Sequence, residues 1–394
     1  MPIEVFVSEK ELKIADSAVK VAQELIKKGY QEKQVVQKVK KIIKKINIPF
    51  SAKDAYIAAR IRLKAKEKFG ILAERLFFDE SGYRYSTPSI VAEYRADRIK
   101  CGVADVSCGA GMQLAFFGFK GFSEGVEIDK KRAFLAAMNV QSLNSNATVY
   151  WGDAFEFKTS MEIVFSDPAR PESEEVRTLS SLKPNPLKLI ERFSKKQFVF
   201  ELPPQMPPER VNIEGEKEYT SLSFRLNRLA LYTGELGSCD VSAVSLPSRE
   251  RVTSDDEKLK LRKGRVGDTI AEVDRTVTHS GLLENLAGKL GLEAEIIHSD
   301  GRRTLLSVRN VVESAFLRYY EVIFTANSIS ECAKELKKEG AGKATIRFQI
   351  SPNKYWELRK KLEKDLKGEK KFHIFKIGDL FVGCLPHSGT NFVQ

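Results

Sequence analysis

Residues 104–112 read ADVSCGAGM: an apolar run stops on an aspartate and then supplies Gly109 and Gly111, with Cys108 just ahead of them. Glycines in such a loop let the backbone take positive φ and approach a ligand closely. The pattern predicts a strand, a tight loop and a helix that bind a nucleotide-like ligand at the carboxyl edge of a sheet. A second acid, Glu127 in GVEID, ends the next predicted strand, where a carboxylate can accept from ribose hydroxyls. Asp129 is the alternative for that role. Two details argue against a dinucleotide. Leu114 stands where G-x-G-x-x-G needs its third glycine, and Asp105, just before the loop, would repel a pyrophosphate and attract a cation. S-adenosylmethionine carries an amino group and a sulfonium and no phosphate, so the loop chemistry favours it.

Two further acids follow the same rhythm. Asp153 in YWGDAF ends the third predicted strand, placed to accept from an adenine amino group, and SDPARP at 166–171 ends the fourth, at the mouth of the site. Each acid alone reads equally as a cap or a turn residue; four at four successive strand ends read as a binding site. Cys108 could be a nucleophile toward a pyrimidine carbon, but its place inside the loop would turn the thiol to the cofactor rather than to a substrate. Only four histidines occur (His279, His298, His373, His387), all in the last third, so the glycine region has none for a metal site or a His-based triad. We expect no metal.

The elements that must hold these residues alternate from residue 103 onward: short apolar strands (VADVS, GFSEGVEID, ATVYWGD, EIVFSDPA, QFVFELP) with helical stretches between them. That alternation predicts a parallel, doubly wound α/β sheet over 81–247. Ahead of it, residues 1–80 read as a helical unit. Ser8 and Glu11 form a capping box, Gly29 breaks the first helix, and Val35, Val36, Val39, Ile42, Ile43 and Ile46 recur at helical spacing. A further helix is expected over 52–69. Thr87 is expected as the N-cap, with Pro88 in the first turn, of a helix leading to Cys101. Residues 248–280 are strongly charged and read as an exposed excursion between domains. Residues 281–394 read as a small α+β unit in which KATIRFQI, 343–350, alternates as a half-buried strand.

The chain has 394 residues and a net charge of +12, of which residues 1–70 supply +9, with 17 Lys and Arg against 8 Asp and Glu. Concentrated basic surface favours a polyanion, nucleic acid first, and Arg60, Arg62, Lys64, Lys66 and Lys68 are the candidate contacts. The start MPIEVFVSEKEL lacks the form of a secretory signal, and no run of eighteen apolar residues occurs. Five scattered cysteines without a C-x-x-C pair suit a reducing cytoplasm. No membrane partner is expected.

The order D-x-x-C-G-x-G (Asp105–Gly111), V-x-I-D (Val126–Asp129), G-D-A (Gly152–Ala154) and D-P-A-R (Asp167–Arg170) resembles class I S-adenosylmethionine-dependent methyltransferases. YSTPSIVAEYRADRI followed by VADVSCGAGM also resembles the trimethylguanosine-synthase group. Over nearly the whole chain the resemblance is to methyltransferases with a C-terminal THUMP-like domain. It rests on an expanded R-x-R-A-x-x-K-F signature at Arg60–Phe69, on Arg95-Ala96-Asp97-Arg98, on DPAR, and on KKEGAGKATIRFQISPNKYWELRKKL. It implies a Rossmann-like core, with Thr87, Asp105, Ser107, Cys108, Gly109, Gly111, Glu127, Asp129, Asp153 and Ala154 around the cofactor. Asp167 and Pro168 would flank the transferred methyl. The D-P-P-aromatic form of amino-group methyltransferases is absent, and Arg170 stands where its stacking ring would be. Arginine can stack on a base or grip phosphate, and Tyr83, Tyr85 or Phe155 could supply a ring. ELPPQMPPER, 201–210, reads either as a wall of the substrate pocket or as a rigid loop. The expectation is methylation of a base in structured RNA, tRNA or rRNA. The alternatives are transfer to a protein or small molecule, and an RNA-binding protein that retains the fold without catalysis.

Overall fold

A computed structural model of the protein describes residues 1–169 and 178–387. They fall into two compact units, one of residues 1–216 and 229–238, the other of residues 217–228 and 239 onward.

The first unit opens with a short strand, β1 (Ile3–Glu4), and the helices α1 (Glu9–Lys27), α2 (Glu32–Ile43), α3 (Ala52–Lys64) and α4 (Lys66–Phe69). The capping box at Ser8 forms: Glu11 N–H donates to Ser8 Oγ at 3.3 Å, and Ser8 N–H donates back to Glu11 Oε2 at 3.2 Å. Ser51 and Asp54 repeat the device at the start of α3. Ala15, Ala18 and Ala22 on α1 and Ala55, Ala58 and Ala59 on α3 are fully buried; side chains this small let two helix backbones approach closely. The single helix expected over 52–69 is two, because Ala65 separates α3 from α4. The helical stretch also has no core to itself. Val19, Val39, Phe50, Phe77, Leu114, Phe117, Leu135 and Phe165 belong to one hydrophobic cluster that runs from the N-terminal helices into the sheet.

Two further helices, α5 (Glu80–Tyr85) and α6 (Ser89–Ile99), lead to the sheet. Its strands are β2 (Ala104–Asp105), β3 (Ser123–Glu127), β4 (Ala147–Trp151), β5 (Ile163–Ser166) and β6 (Gln197–Leu202), followed by β7 (Glu216–Leu222) and β8 (Leu226–Tyr232). Pairing runs β1-β4-β3-β2-β5-β6-β8. The pairs from β4 to β6 are parallel, while β1 joins β4 and β8 joins β6 antiparallel. Parallel neighbours need crossovers, and α7 (Met112–Gly118), α8 (Lys130–Ser142) and α9 (Pro186–Arg192) supply them. Strand order reverses at β2, between β3 and β5, so the crevice of this doubly wound sheet opens beyond the carboxyl ends of those strands. The helix after Pro88 begins one residue later than expected: Pro88 is its N-cap and accepts from Val91 and Ala92 through its carbonyl, whereas Thr87 is buried one residue outside.

The second unit holds β9 (Val241–Leu246) paired with β7 in parallel and with β10 (Glu250–Thr253) antiparallel. Its larger sheet joins β11 (Arg262–Lys263), β12 (Thr269–Val273), β13 (Ala294–Ser299), β14 (Thr304–Val308), β15 (Leu317–Ala326), β16 (Ala341–Ile346), β17 (Lys370–Ile377) and β18 (Leu380–Pro386) in the order β11-β13-β14-β12-β15-β18-β17-β16. Four helices, α10 (Arg275–His279), α11 (Leu283–Leu290), α12 (Ile329–Lys338) and α13 (Pro352–Glu363), complete it. The charged stretch 248–280 is not an excursion. Many of its charges are exposed, but Glu250 and Arg251 lie in β10, Arg262 and Lys263 form β11, and Ile270, Ala271, Glu272 and Val273 of β12 are buried between β14 and β15. The strand expected over 343–350 spans Ala341–Ile346 instead. Its parallel pairing with β17 ends at Ile346–Ile374, and Phe348 turns off the sheet to pack edge-on against Phe381. Among the described residues no helix is long and apolar enough to cross a membrane.

Candidate active site

The residues singled out around ADVSCGAGM meet at the strand-order reversal. Asp105 ends β2, is 1% exposed, and accepts the Ser107 N–H on Oδ1 at 3.1 Å. Gly109 and Gly111 take φ of +55° and +77°, values that glycine reaches without the steric cost a Cβ brings. The two differ in why. Open space surrounds the Cβ position of Gly109, whereas a Cβ on Gly111 would lie 3.0 Å from Cα of Ala136 on α8. Gly111 therefore sets how closely the loop packs on the following crossover helix, and Gly109 leaves the backbone bare toward solvent.

Glu127, at the end of β3, binds the same loop. Its Oε2 accepts from Gly109 N–H at 3.0 Å, and Oε1 from Asp129 N–H at 3.0 Å. On the other side, Ser107 Oγ accepts from Asp167 N–H at 2.7 Å and lies 3.1 Å from Ser166 Oγ, which ties the loop to the end of β5. Asp167 is partly exposed and Pro168 is buried. Arg170 lies outside the described residues. Ala169 pairs through both backbone groups with Lys183, so the chain leaves β5 and returns at one point.

The electrostatics of this cluster are unusual. Burial pushes the Asp105 carboxyl well above its ordinary range, and the neighbouring Asp167 and Glu127 push it further. Burial also raises Glu127, against its two backbone donors and Arg132. Asp105 has no ion-pair partner among the described residues, although Arg95 lies near enough to oppose the shift. Three acids, Asp105, Glu127 and Asp167, thus converge on one glycine loop, with Arg95 and Arg132 opposing the rise of the first two. Such a cup repels phosphate and favours a cationic ligand. Cys108 is buried, and burial with Asp105 and Glu127 drives its thiol well above the usual range. It stays a neutral thiol, unsuited to nucleophilic attack.

Asp129 and Asp153 do different work. Both are exposed, and both cap helices: Asp129 Oδ1 accepts from Arg132 N–H at 2.8 Å at the start of α8, and Asp153 Oδ1 from Phe155 N–H at 2.9 Å ahead of a short turn of helix, Ala154–Glu156. Ala154 is buried behind it.

Two supports of the site were not legible as such. Arg95, in the R-A-D-R stretch of α6, is fully buried; it donates to Gln113 Oε1 and Glu201 Oε2, each at 2.7 Å, and lies over the Phe165 ring. Burial alone would lower its pKa; Glu201 outweighs this and holds it charged. Asn139 on α8 accepts from Phe77 N–H at 2.7 Å and donates to the carbonyls of Phe77 and Ala110 at 2.9 and 2.8 Å. One side chain thereby joins the N-terminal region to the glycine loop. A buried asparagine between apolar neighbours was the available signal.

The basic residues expected to meet RNA do not form one face. Arg62 is buried: its Nε donates to Leu76 O and its Nη1 pairs with Asp16 at 2.7 Å, so burial among α1 and α3 removes it from any surface. Lys68 donates to the carbonyls of Tyr83 and Arg84. Arg60 and Lys64 are exposed but share Glu80, at 3.7 and 3.8 Å, leaving Lys66 as the exposed member without an ion pair among the described residues. Of the rings considered for base stacking, Tyr83 packs edge-on against the stacked pair Phe69 and Phe78, with Lys64 and Lys68 over its ring, and Tyr85 is exposed.

No family model matches the chain, and no curated protein matches it. Among solved structures, one from Porphyromonas gingivalis W83, provisionally described as a methyltransferase, is similar over 98% of this chain and 100% of its own, at 17% identity and a TM-score of 0.73. A protein from Listeria monocytogenes, provisionally described as a class I S-adenosylmethionine-dependent methyltransferase, aligns over 61% of this chain and 94% of its own at 13% identity and a TM-score of 0.35. One from Pyrococcus horikoshii, provisionally described as an RNA methyltransferase, aligns over 30% and 61% at 18% identity and a TM-score of 0.24.

Proposed function

We propose that this chain, whose fold matches that of a provisionally described methyltransferase along its whole length, transfers a methyl group from S-adenosylmethionine to a base in structured RNA. The observation that carries the cofactor is the acidic cup: Asp105, Glu127 and Asp167 surround a positive-φ glycine loop and leave a demand for positive charge. The donor set fits a ligand with an ammonium and a sulfonium and does not fit a dinucleotide. The cofactor, when bound, supplies the methyl group and its own leaving group.

The protein's part is positional. Asp105 and the backbone of Ser107–Gly111 hold the amino-acid end, and Glu127 turns to ribose hydroxyls while retaining Gly109. Ser107 fixes the backbone of Asp167 at the end of β5, where Asp167 and Pro168 would flank the transferred methyl. Asp105 and Asp167 would place two acidic groups beside the cationic end of the cofactor, where they would favour its positive charge. Arg95 holds α6 and β6 in place behind Phe165 and touches neither reactant.

The RNA substrate is supported by the net charge of +12. The second unit, by resemblance THUMP-like, would add contacts to RNA shape, and the cytoplasm is the expected compartment. Tritiated methyl transfer to total RNA from a strain lacking the protein, followed by nucleoside mass spectrometry, tests the reading. A labelled nucleoside that disappears in Asp105→Asn supports it; label found only in protein or small molecules overturns the RNA assignment. Cofactor binding by calorimetry with no transfer to any acceptor would leave a non-catalytic RNA-binding protein.

A further inference from the structure

The helix α9 connects two parallel strands, so it returns from the carboxyl end of β5 to the amino end of β6. Along it run two adjoining depressions. One, of about 490 Å³, is lined by Phe155, Lys188, Glu191 and Arg192. The other, of about 280 Å³, is lined in part by Lys158, Arg192, Lys195 and Lys196. Arg192 belongs to both. Its side chain is anchored while remaining exposed: Nε donates to Phe155 O at 2.8 Å and Nη2 to Phe157 O at 2.9 Å. Five basic residues therefore line one continuous groove against a single acid, Glu191, and none of the five has an ion-pair partner among the described residues.

Phe155 follows directly on Asp153 and Ala154, at the turn beyond β4, and is a half-buried member of the first depression's lining. The other exposed basic surface differs on each count. Lys33, Lys38, Lys40 and Lys41 of α2 project from the exposed outside of a helix, and none of them lines either depression. A run of cations lining a shallow depression, facing a single acid among the described lining residues, is a track for a polyanion, and a ring beside it suits a stacked base.

We infer that the groove formed by Lys158, Lys188, Arg192, Lys195 and Lys196 carries the phosphate backbone of the RNA and leads it to Phe155 at the edge of the cofactor site. The inference rests on the RNA reading above. Arg192, held through two of its N–H groups, presents the rest of its guanidinium in a fixed orientation to a phosphate, while the lysines follow the backbone as mobile point charges. Specificity for sequence is not required of such a track.

The test is binding of fluorescein-labelled bulk tRNA at several salt concentrations. The proteins are the full chain, Lys188→Glu/Lys195→Glu/Lys196→Glu, and Lys33→Glu/Lys38→Glu/Lys41→Glu as the α2 counterpart. The groove variant should lose about tenfold or more in affinity and show a shallower salt slope, because fewer counterions are released. Its affinity for S-adenosylmethionine should stay unchanged, which reports that it is folded. The α2 variant should bind within about threefold of the unaltered chain, the weak response expected of charges off the phosphate track. Unchanged tRNA binding by the groove variant overturns the inference, as does a loss confined to the α2 variant. If the unaltered chain itself binds tRNA with no salt dependence or not at all, the RNA reading fails first, and transfer to an acidic protein becomes the outcome to pursue.

Discussion

Glu127 Oε2 accepts the Gly109 N–H at 3.0 Å, so the carboxylate proposed for the ribose is also the clamp on the glycine loop. The two roles come apart in mutants. Glu127→Gln keeps an acceptor for Gly109 and loses the charge; Glu127→Ala loses both. Hydrogen bonds to a charged group contribute about 1.5–3 kcal/mol. Glu127→Gln should weaken S-adenosylmethionine binding by about tenfold, and Glu127→Ala by about a hundredfold with a lower melting temperature. Titration calorimetry with thermal melts distinguishes them; equal affinities for both variants would show that the loop clamp contributes nothing.

Gly109 and Gly111 should respond differently to the same change. At Gly111 an added methyl group meets Ala136 at 3.0 Å, on top of the cost of a positive φ. Gly111→Ala should destabilise the fold by about 2–3 kcal/mol, strain and overpacking together. Gly109→Ala should cost about 1 kcal/mol, since only the backbone term applies. Its loss of cofactor affinity should exceed its loss of stability, because the methyl group points into the open space a ligand would use. Chemical denaturation of both variants, with and without cofactor, measures the contrast.

Arg95 sits at the other extreme of burial. Arg95→Met leaves Glu201 as a buried charge without its guanidinium and should cost about 3–5 kcal/mol. Arg95→Lys keeps the charge but cannot reach Gln113 and Glu201 together in the planar fork they require. Arg95→Met/Glu201→Leu should recover much of the stability, since replacing both members of a buried pair can be close to neutral. A double variant no more stable than Arg95→Met alone would place the cost in packing against Phe165 rather than in charge.

The raised pKa values of Asp105 and Glu127 have a definite pH signature. An acid whose folded pKa lies above its unfolded one keeps its proton longer in the native state. Stability of the ligand-free protein should therefore fall as pH rises from the ordinary carboxylate value, about 4, through the raised native values, and flatten above them. A cationic ligand favours the ionised acids, so the gain in melting temperature from S-adenosylmethionine should widen over the same window. Asp105→Asn should flatten much of that widening. A gap that stays constant with pH in the unaltered protein would remove the acidic cup as the basis of cofactor binding.

The sheet and its acids were legible because local rules sufficed: short apolar strands, four of them with an acid at or within two residues of the carboxyl end. Glu127 and Asp105 lie where that spacing puts them. The basic face failed for a physical reason that spacing does not encode. Arg62 lies among other cations in the chain, yet folding turns it inward to Asp16 and Leu76 O, while Lys195 and Lys196, far along the chain, join Lys158 across a groove. The buried strand β12 was hidden by its neighbours' charges, since a mean over 248–280 conceals the three apolar core residues Ile270, Ala271 and Val273. Arg95 stood in a motif whose letters were readable but whose partner, Glu201, lies 106 residues away.

Asn139 spends its side-chain amide on Phe77 and Ala110, residues on opposite sides of the boundary that composition suggests at residue 80. The N-terminal helices are accordingly no detachable cassette. A chain trimmed to begin after that boundary would lose Phe50, Phe69, Phe77 and Phe78 from the common core and leave the Asn139 amide without its two Phe77 partners, beside the Ala110 carbonyl it seats in the loop. Transplanting the helices of a distant homologue would likewise succeed only with α8 carried along, so the helices and the glycine loop must be inherited as a single piece.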